Sequence, residues 1–89
     1  MRKTMKERHD PTASTLRRLR MSLGMTVQQV ATEAEMTPST VSRIETGAHG
    51  PSLQSARVLA AIYGITMDDF VTLSEAQRKI YKQSITPGA

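Results

Sequence analysis

The stretch EAEMTPSTVSRIETG, residues 33–47, carries the signals that decide the fold. Thr37 followed by Pro38 marks the start of a helix. The hydroxyl can cap free amides, and proline suits the first helical position, where an N–H has no partner. Gly47 marks the end of the same helix. This segment therefore predicts one short helix at 38–46.

A second helix is predicted just before it, at 27–34. Thr26 and Gln29 form a capping box at its start, and only about three residues join the two helices. A link that short predicts the sharp crossing of a helix-turn-helix. Ala31 supplies the small side chain that the closest approach of the two helices needs, and Val41 fills the angle between them.

The remaining apolar spacings are also helical, and none alternates convincingly like a strand. Ser74 and Gln77 look like a further capping box, so we expect a last, separate helix that starts at Ser74. The predicted fold is an all-α domain of five core helices with an added short C-terminal helix. The predicted bounds are 13–23, 27–34, 38–46, 53–63 and 67–72 for the five helices and 74 to about 83 for the last.

Length and composition exclude several classes of protein. The chain has 89 residues, which is enough for one small domain. It has no cysteine, so a disulfide or a thiolate zinc site is impossible. No carboxylate pair, metal-ligand spacing or glycine-rich phosphate loop is evident, so we expect neither an enzyme nor a cofactor or metal site. No signal peptide or transmembrane span is evident, so we expect a cytoplasmic protein with no membrane partner.

Charge is distributed unevenly along the chain. Residues 1–20 carry seven Lys or Arg and two Asp or Glu, whereas residues 21–73 carry two and five. Residues 74–89 carry three and one, and the net charge is +4. A basic arm before a mildly acidic centre is typical of chains that approach nucleic acid, but a solubilising tail has the same composition.

The ordered motifs resemble the lambda-repressor-like, Cro/XRE-type DNA-binding domains. The resemblance covers about 13–73. Outside it we expect a flexible basic arm at 1–12, and a C-terminal helix and tail at 74–89 that could take part in dimerisation. Two residues depart from the family pattern. Glu35 stands where glycine is usual, so the turn is either strained or of another shape, and Val27 stands where glutamine is frequent. The matching segments are LRRLR (16–20), TVQQVA (26–31), STVSRIETG (39–47), GPSL (50–53), LAAIYGIT (59–66) and MDDFV (67–71).

The resemblance implies that helix 38–46 enters the DNA major groove. Arg43 is the foremost candidate for reading bases, because arginine bound to guanine by two hydrogen bonds is the commonest specific contact there. The alternative for Arg43 is an ordinary solvated helix residue. The other base-reading candidates are Ser39, Pro38 and Ser42.

Contacts with phosphate are expected mainly at helix amino ends, where free N–H groups suit anions. The candidates are Thr26, Gln28, Thr37, Thr46, His49 and Ser52. Basic residues of the arm should add electrostatic affinity. They are Arg2, Lys3, Lys6 and Arg8. For Arg20 the resemblance implies a structural ion pair with Glu45, and a phosphate contact is the alternative.

The resemblance also implies partners. We expect double-stranded DNA with a near-palindromic operator, bound by a homodimer. The expected dimer interface is formed by apolar side chains for which the sequence shows no obvious internal partner, namely Val71, Leu73, Ile80 and Tyr81. The alternative is that the last helix folds back on its own domain. The predicted function is a dimeric transcriptional repressor, with no ligand-sensing domain expected after residue 73. An antitoxin that binds a toxin protein and its own operator, and a phage-type or plasmid repressor that acts alone, remain alternatives.

Overall fold

The computed structural model describes residues 15–85, and this part of the chain forms five α-helices and no strand. The helices are α1 (Thr15–Ser22), α2 (Val27–Ala34), α3 (Pro38–Thr46), α4 (Leu53–Tyr63) and α5 (Met67–Ile85). The all-α, five-helix architecture is confirmed. The bounds of α2, α3 and α4 agree with the sequence prediction, and α1 ends one residue earlier than predicted.

Side-chain oxygens begin the helices where the sequence predicted. The Thr26 hydroxyl accepts from the Gln29 amide at 3.0 Å, and the Gln29 side-chain oxygen accepts from the Thr26 amide at 2.8 Å. Thr37 and Ser52 each accept from the amide three residues on, at 3.1 and 3.0 Å. Each cap satisfies an amide that the helix cannot pair itself, and it contributes about 1 kcal/mol.

The core is one cluster of ten buried apolar side chains, to which all five helices contribute. Ala31 and Val41 lie within it, 1% and 0% exposed, where α2 packs on α3. The rings of Tyr63 and Phe70 are tilted, with centroids 5.9 Å apart. The cluster holds α3 by one side only, so its other side faces outward. Its members are Leu16, Val30, Ala31, Val41, Ile44, Ala56, Leu59, Ala60, Tyr63 and Phe70.

The turn between α2 and α3 is strained, which is one of the two conformations expected for a chain with Glu35 at this position. Glu35 has φ 57° and ψ 44°, the left-handed conformation, and it is the one non-glycine residue of 15–85 with positive φ. The Met36 amide bonds the Ala31 carbonyl at 2.9 Å, which closes the helix as glycine normally does. Gly24 and Gly64 end α1 and α4 in the same conformation. The left-handed conformation of Glu35 therefore lowers the stability of the domain by about 1–2 kcal/mol relative to glycine at this position.

The prediction of a separate helix at Ser74 is wrong, since α5 continues from Met67 to Ile85 without a break. Neither glycine nor proline stands between Gly64 and Pro87, so nothing in the sequence interrupts the helix. Ser74 and Gln77 are only 2% and 8% exposed. They extend the buried stripe begun by Phe70 and do not cap a new helix. The predicted domain boundary at residue 73 thus falls inside α5.

The middle of α5 lies directly against the end of α3. Gln77 Nε2 donates to the Thr46 carbonyl at 3.3 Å and satisfies an oxygen that α3 leaves unpaired. Gly47, with φ 91°, ends α3 at this contact. A Cβ added to Gly47 would lie 2.7 Å from the Gln77 carbonyl carbon and 3.0 Å from Arg78 Cα. The position needs glycine for its backbone conformation and for the space.

The predicted dimer face is partly used within the chain. Val71 and Leu73 are half-buried and pack against the core, so the expectation that they lack an internal partner is wrong. Both lie on the continuous α5, which reaches α1, α3 and α4. Ile80 and Tyr81 are half-buried on the last turns of the same helix.

A buried polar network joins three of the helices. Arg20 donates through Nε to Glu45 Oε2 at 2.8 Å and through Nη2 to Oε1 at 3.1 Å. A third donor, Nη1, bonds the Met25 carbonyl at 2.9 Å. The Tyr63 hydroxyl also donates to Glu45 Oε2. The structure thus places the implied ion pair in the interior, and it adds a tyrosine whose hydroxyl the sequence analysis had not assigned.

We expect Gly47→Ala to destabilise the domain more than Gly64→Ala. Both positions have positive φ, but a Cβ at Gly64 meets nothing within 4 Å. Gly64→Ala should cost about 1–2 kcal/mol for the left-handed backbone alone. Gly47→Ala should cost roughly 1–3 kcal/mol more, because the added methyl overpacks the contact with α5. Urea unfolding of both variants measures the difference, and equal losses would contradict the close approach.

We expect stability to fall at high pH through Tyr63. Burial, and then the hydrogen bond to Glu45, raises the pKa of Tyr63 above its ordinary value of 10.0. The unfolded chain therefore loses this proton first. The stabilisation is complete below about pH 10 and is lost as pH rises further. Tyr63→Phe should lower stability at neutral pH, because Glu45 loses a hydrogen-bond donor. Between about pH 9 and 11, however, the stability of this variant should fall less than that of the unmodified chain, because phenylalanine has no proton to lose. Tyr81→Phe is the control and should keep the alkaline loss. Thermal melting against pH decides, and an unchanged alkaline slope in Tyr63→Phe would refute the assignment.

Candidate nucleic-acid interface

One side of α3 is buried and the opposite side is open. Val41, Ile44 and Glu45 are almost completely out of solvent. The exposed residues recur at the spacing of a single helix face. The structure therefore brings the predicted base-reading residues together on one surface, defined here as the outer face of α3. Its members are Pro38, Ser39, Ser42, Arg43 and Thr46.

Arg43 is held by its backbone while its side chain points outward. Its carbonyl oxygen accepts from the amides of Gly47 and His49 at 3.0 and 3.2 Å, where α3 ends. Within residues 15–85 its guanidinium makes no hydrogen bond or ion pair. Five N–H donors are thus available on an exposed face.

Beside the outer face lies a groove of about 300 Å³ between α1, α2 and α3. Arg17 lines it from α1, the apolar Val27 from α2, and Ser42 and Thr46 from α3. Val27 occupies the position where the resembled family often has glutamine. An isopropyl group cannot donate to a phosphate, so any anion contact here depends on the helix amides and on neighbouring side chains.

The amino end of α2 has the freest donors among the predicted phosphate contacts. The Thr26 hydroxyl accepts from Gln29, and in the described part of the chain its own hydrogen goes to no acceptor. Gln28 follows it, exposed. The first amides of a helix have no intrahelical acceptor, and the helix dipole favours an anion beside them.

Thr46, Ser52 and Thr37 are less available, because each hydroxyl already has a partner. Thr46 donates to the carbonyl three residues earlier at 3.2 Å. Ser52 donates to the Ser55 hydroxyl at 3.0 Å, and Thr37 shares a hydrogen with the hydroxyl three residues on at 2.8 Å. A phosphate only accepts, so the Thr46 and Ser52 hydroxyls would have to turn to bind one, whereas either hydroxyl of the Thr37–Thr40 pair can be the donor. His49 is exposed in the loop after α3.

Arg20 is occupied inside the domain by Glu45 and Met25 and is 8% exposed. Its hydrogen bond to Glu45 raises the Arg20 pKa above its ordinary value. Three of its five N–H donors are thus used inside the domain. The arm residues Arg2, Lys3, Lys6 and Arg8 lie outside the described residues, so their role stays a prediction.

Residues 15–85 lack two further kinds of feature. No helix there combines the length and the apolar character needed to cross a membrane. No group of three or more His, Cys, Asp or Glu in the same residues is arranged to hold a metal ion.

Comparison with known protein families identifies the family of this domain. A family model described as a helix-turn-helix domain matches residues 13–73, well over half of the chain. The matched segment contains α2, the Glu35 turn and α3. Comparisons with curated proteins and with solved structures give no match.

Proposed function

Since the chain belongs to the helix-turn-helix domain family, we propose that it is a cytoplasmic, sequence-specific DNA-binding repressor that inserts α3 into the major groove. The observation that carries the proposal is the outer face of α3, exposed and polar on a helix whose other side is packed into the core. A helix of nine residues is about 14 Å long, and the major groove is about 12 Å wide.

The residue types on this face suit different bases. Arg43 can donate two hydrogen bonds to a guanine edge. Ser39 can donate or accept and suits several bases. Pro38 has no donor and offers apolar contact, for which a thymine methyl is the natural partner. Discrimination should therefore depend mainly on Arg43.

Affinity requires cations or helix dipoles elsewhere, because residues 21–73 carry more acids than bases. The amino end of α2, with Thr26 and Gln28, supports one phosphate contact. The arm residues at 1–12 would add charge that acts on every sequence alike. Binding of this kind weakens steeply with salt.

We expect Arg43→Ala to cost roughly 1–3 kcal/mol on the preferred site and to relax the preference at one base pair. The site is first obtained by selection from a random duplex pool, and affinities are then measured by fluorescence anisotropy. Arg57→Ala is the matched control, because Arg57 is also an exposed helical arginine but lies on α4. It should leave the preference unchanged. Equal losses on preferred and random DNA in Arg43→Ala would make Arg43 a phosphate contact.

The proposal includes a dimer, because one recognition helix reads too few base pairs to specify a site. Two copies on a near-palindrome place their helices one DNA turn apart, about 34 Å. Within the predicted face, Val71 and Leu73 give part of their surface to their own core. Ile80 and Tyr81, on the last described turns of α5, are the members left with most to gain from a partner.

We expect Ile80→Lys to convert the dimer to a monomer, because a charge would be buried at the two-fold contact. Sedimentation of the full chain measures the mass, and binding to one half-site should survive. Lys82→Ala, on the same helix, is the control and should remain dimeric. A dimer that persists in Ile80→Lys would place the interface elsewhere.

A further inference from the structure

We propose that Arg78 is a DNA-phosphate contact, which α5 brings to the end of the recognition helix α3. Neither the family match nor the sequence analysis assigns this residue a role. The inference rests on the proposed function and extends the binding surface from α2 and α3 to α5.

The position of Arg78 follows from the packing of α5. Its neighbour Gln77 bonds the Thr46 carbonyl at 3.3 Å, and Gly47 admits the α5 backbone at this point. The Arg78 side chain then lies along Gly50. A Cβ added to Gly50 would be 3.4 Å from Arg78 Cδ and 3.5 Å from its Nε and Cζ. The guanidinium is thus held over the loop that joins α3 to α4.

The charge of Arg78 has no partner in residues 15–85. It makes no ion pair within 4 Å and no hydrogen bond there. Arg78 lines a groove of about 400 Å³ between α4, α5 and the loop before α4. Glu75, one turn earlier on α5, lines this groove too, but its carboxylate forms no ion pair with Arg78. The side chain is half-buried, so part of the entropy of ordering it is already lost before any ligand arrives. An ordered, unpaired arginine beside a loop is prepared to bind an anion.

The anion that this place fits is a backbone phosphate. The base-reading candidates on α3 extend only as far as Arg43, which leaves the end of the helix, at Thr46 and Gly47, toward the phosphates that border the groove. A guanidinium binds phosphate through two parallel N–H bonds. Residues 21–73 carry a net negative charge and must approach a polyanion. The positive charge of Arg78 reduces the repulsion between these acidic residues and the DNA phosphates.

The experiment measures the full chain on a labelled duplex of mixed sequence across a salt series. Arg78→Gln keeps length and polarity but removes the charge. The slope of log K against log salt should shrink by about 0.9 per protomer, and affinity for preferred and mixed DNA should fall by the same factor. Lys79→Gln is the matched control, since it removes the same charge from the next, exposed residue of α5. Its slope should stay closer to that of the unmodified chain.

Several outcomes would overturn the proposal. Equal slopes in Arg78→Gln and Lys79→Gln would indicate a general field and no contact. A changed base preference in Arg78→Gln would indicate base reading. If Arg78→Gln lowers the melting temperature, Arg78→Lys must restore the slope, and failure to do so would assign Arg78 to packing. An unchanged Arg78→Gln beside a damaged Arg43→Ala would remove this proposal alone, whereas a chain that binds no duplex would remove the proposed function too.

Discussion

The Glu45 carboxylate, 3% exposed near the end of α3, is the charge around which the domain is assembled. Donors from Arg20 on α1 and Tyr63 on α4 converge on it. A buried carboxylate that loses one partner leaves an uncompensated charge, and such losses cost roughly 3–5 kcal/mol. The three helices must therefore keep one relative arrangement. Because Glu45 lies on α3 itself, the same bonds orient the outer face that carries Arg43.

Local chemistry determined much of the fold, and the sequence revealed that part. Hydroxyl caps and the glycines at the ends of α3 and α4 act within a few residues, so the bounds of α2, α3 and α4 could be predicted. The sequence could not decide whether the turn at Glu35 is strained, because the backbone conformation of Glu35 depends on whether the Met36 amide bonds the Ala31 carbonyl. Ser74 and Gln77 led to the wrong prediction of a capping box, because they are polar residues at buried positions inside a continuous helix. Only the path of α5 against α3 shows that they face inward.

The candidate site was predictable to a similar extent. On a helix with 3.6 residues per turn, Ser39 and Arg43 lie on the side opposite Val41, so their exposure follows from the sequence spacing alone. Spacing could not show that the Thr46 and Ser52 hydroxyls already have acceptors. It could not place Arg78 beside Gly50 either, because that contact joins residues far apart in sequence. Features within one helix could be predicted from the sequence, whereas contacts between helices could not.

The bond from Gln77 to Thr46 spans 31 residues and has a consequence for synthesis on the ribosome. A nascent chain contains all of α3 well before residue 77 has been added. During that interval the last carbonyl of α3 lacks its partner, and Gly47 has no helix against it. Chains grow at roughly 5–20 residues per second, so the interval is on the order of seconds. The helix that carries the outer face is made early and receives its final support late.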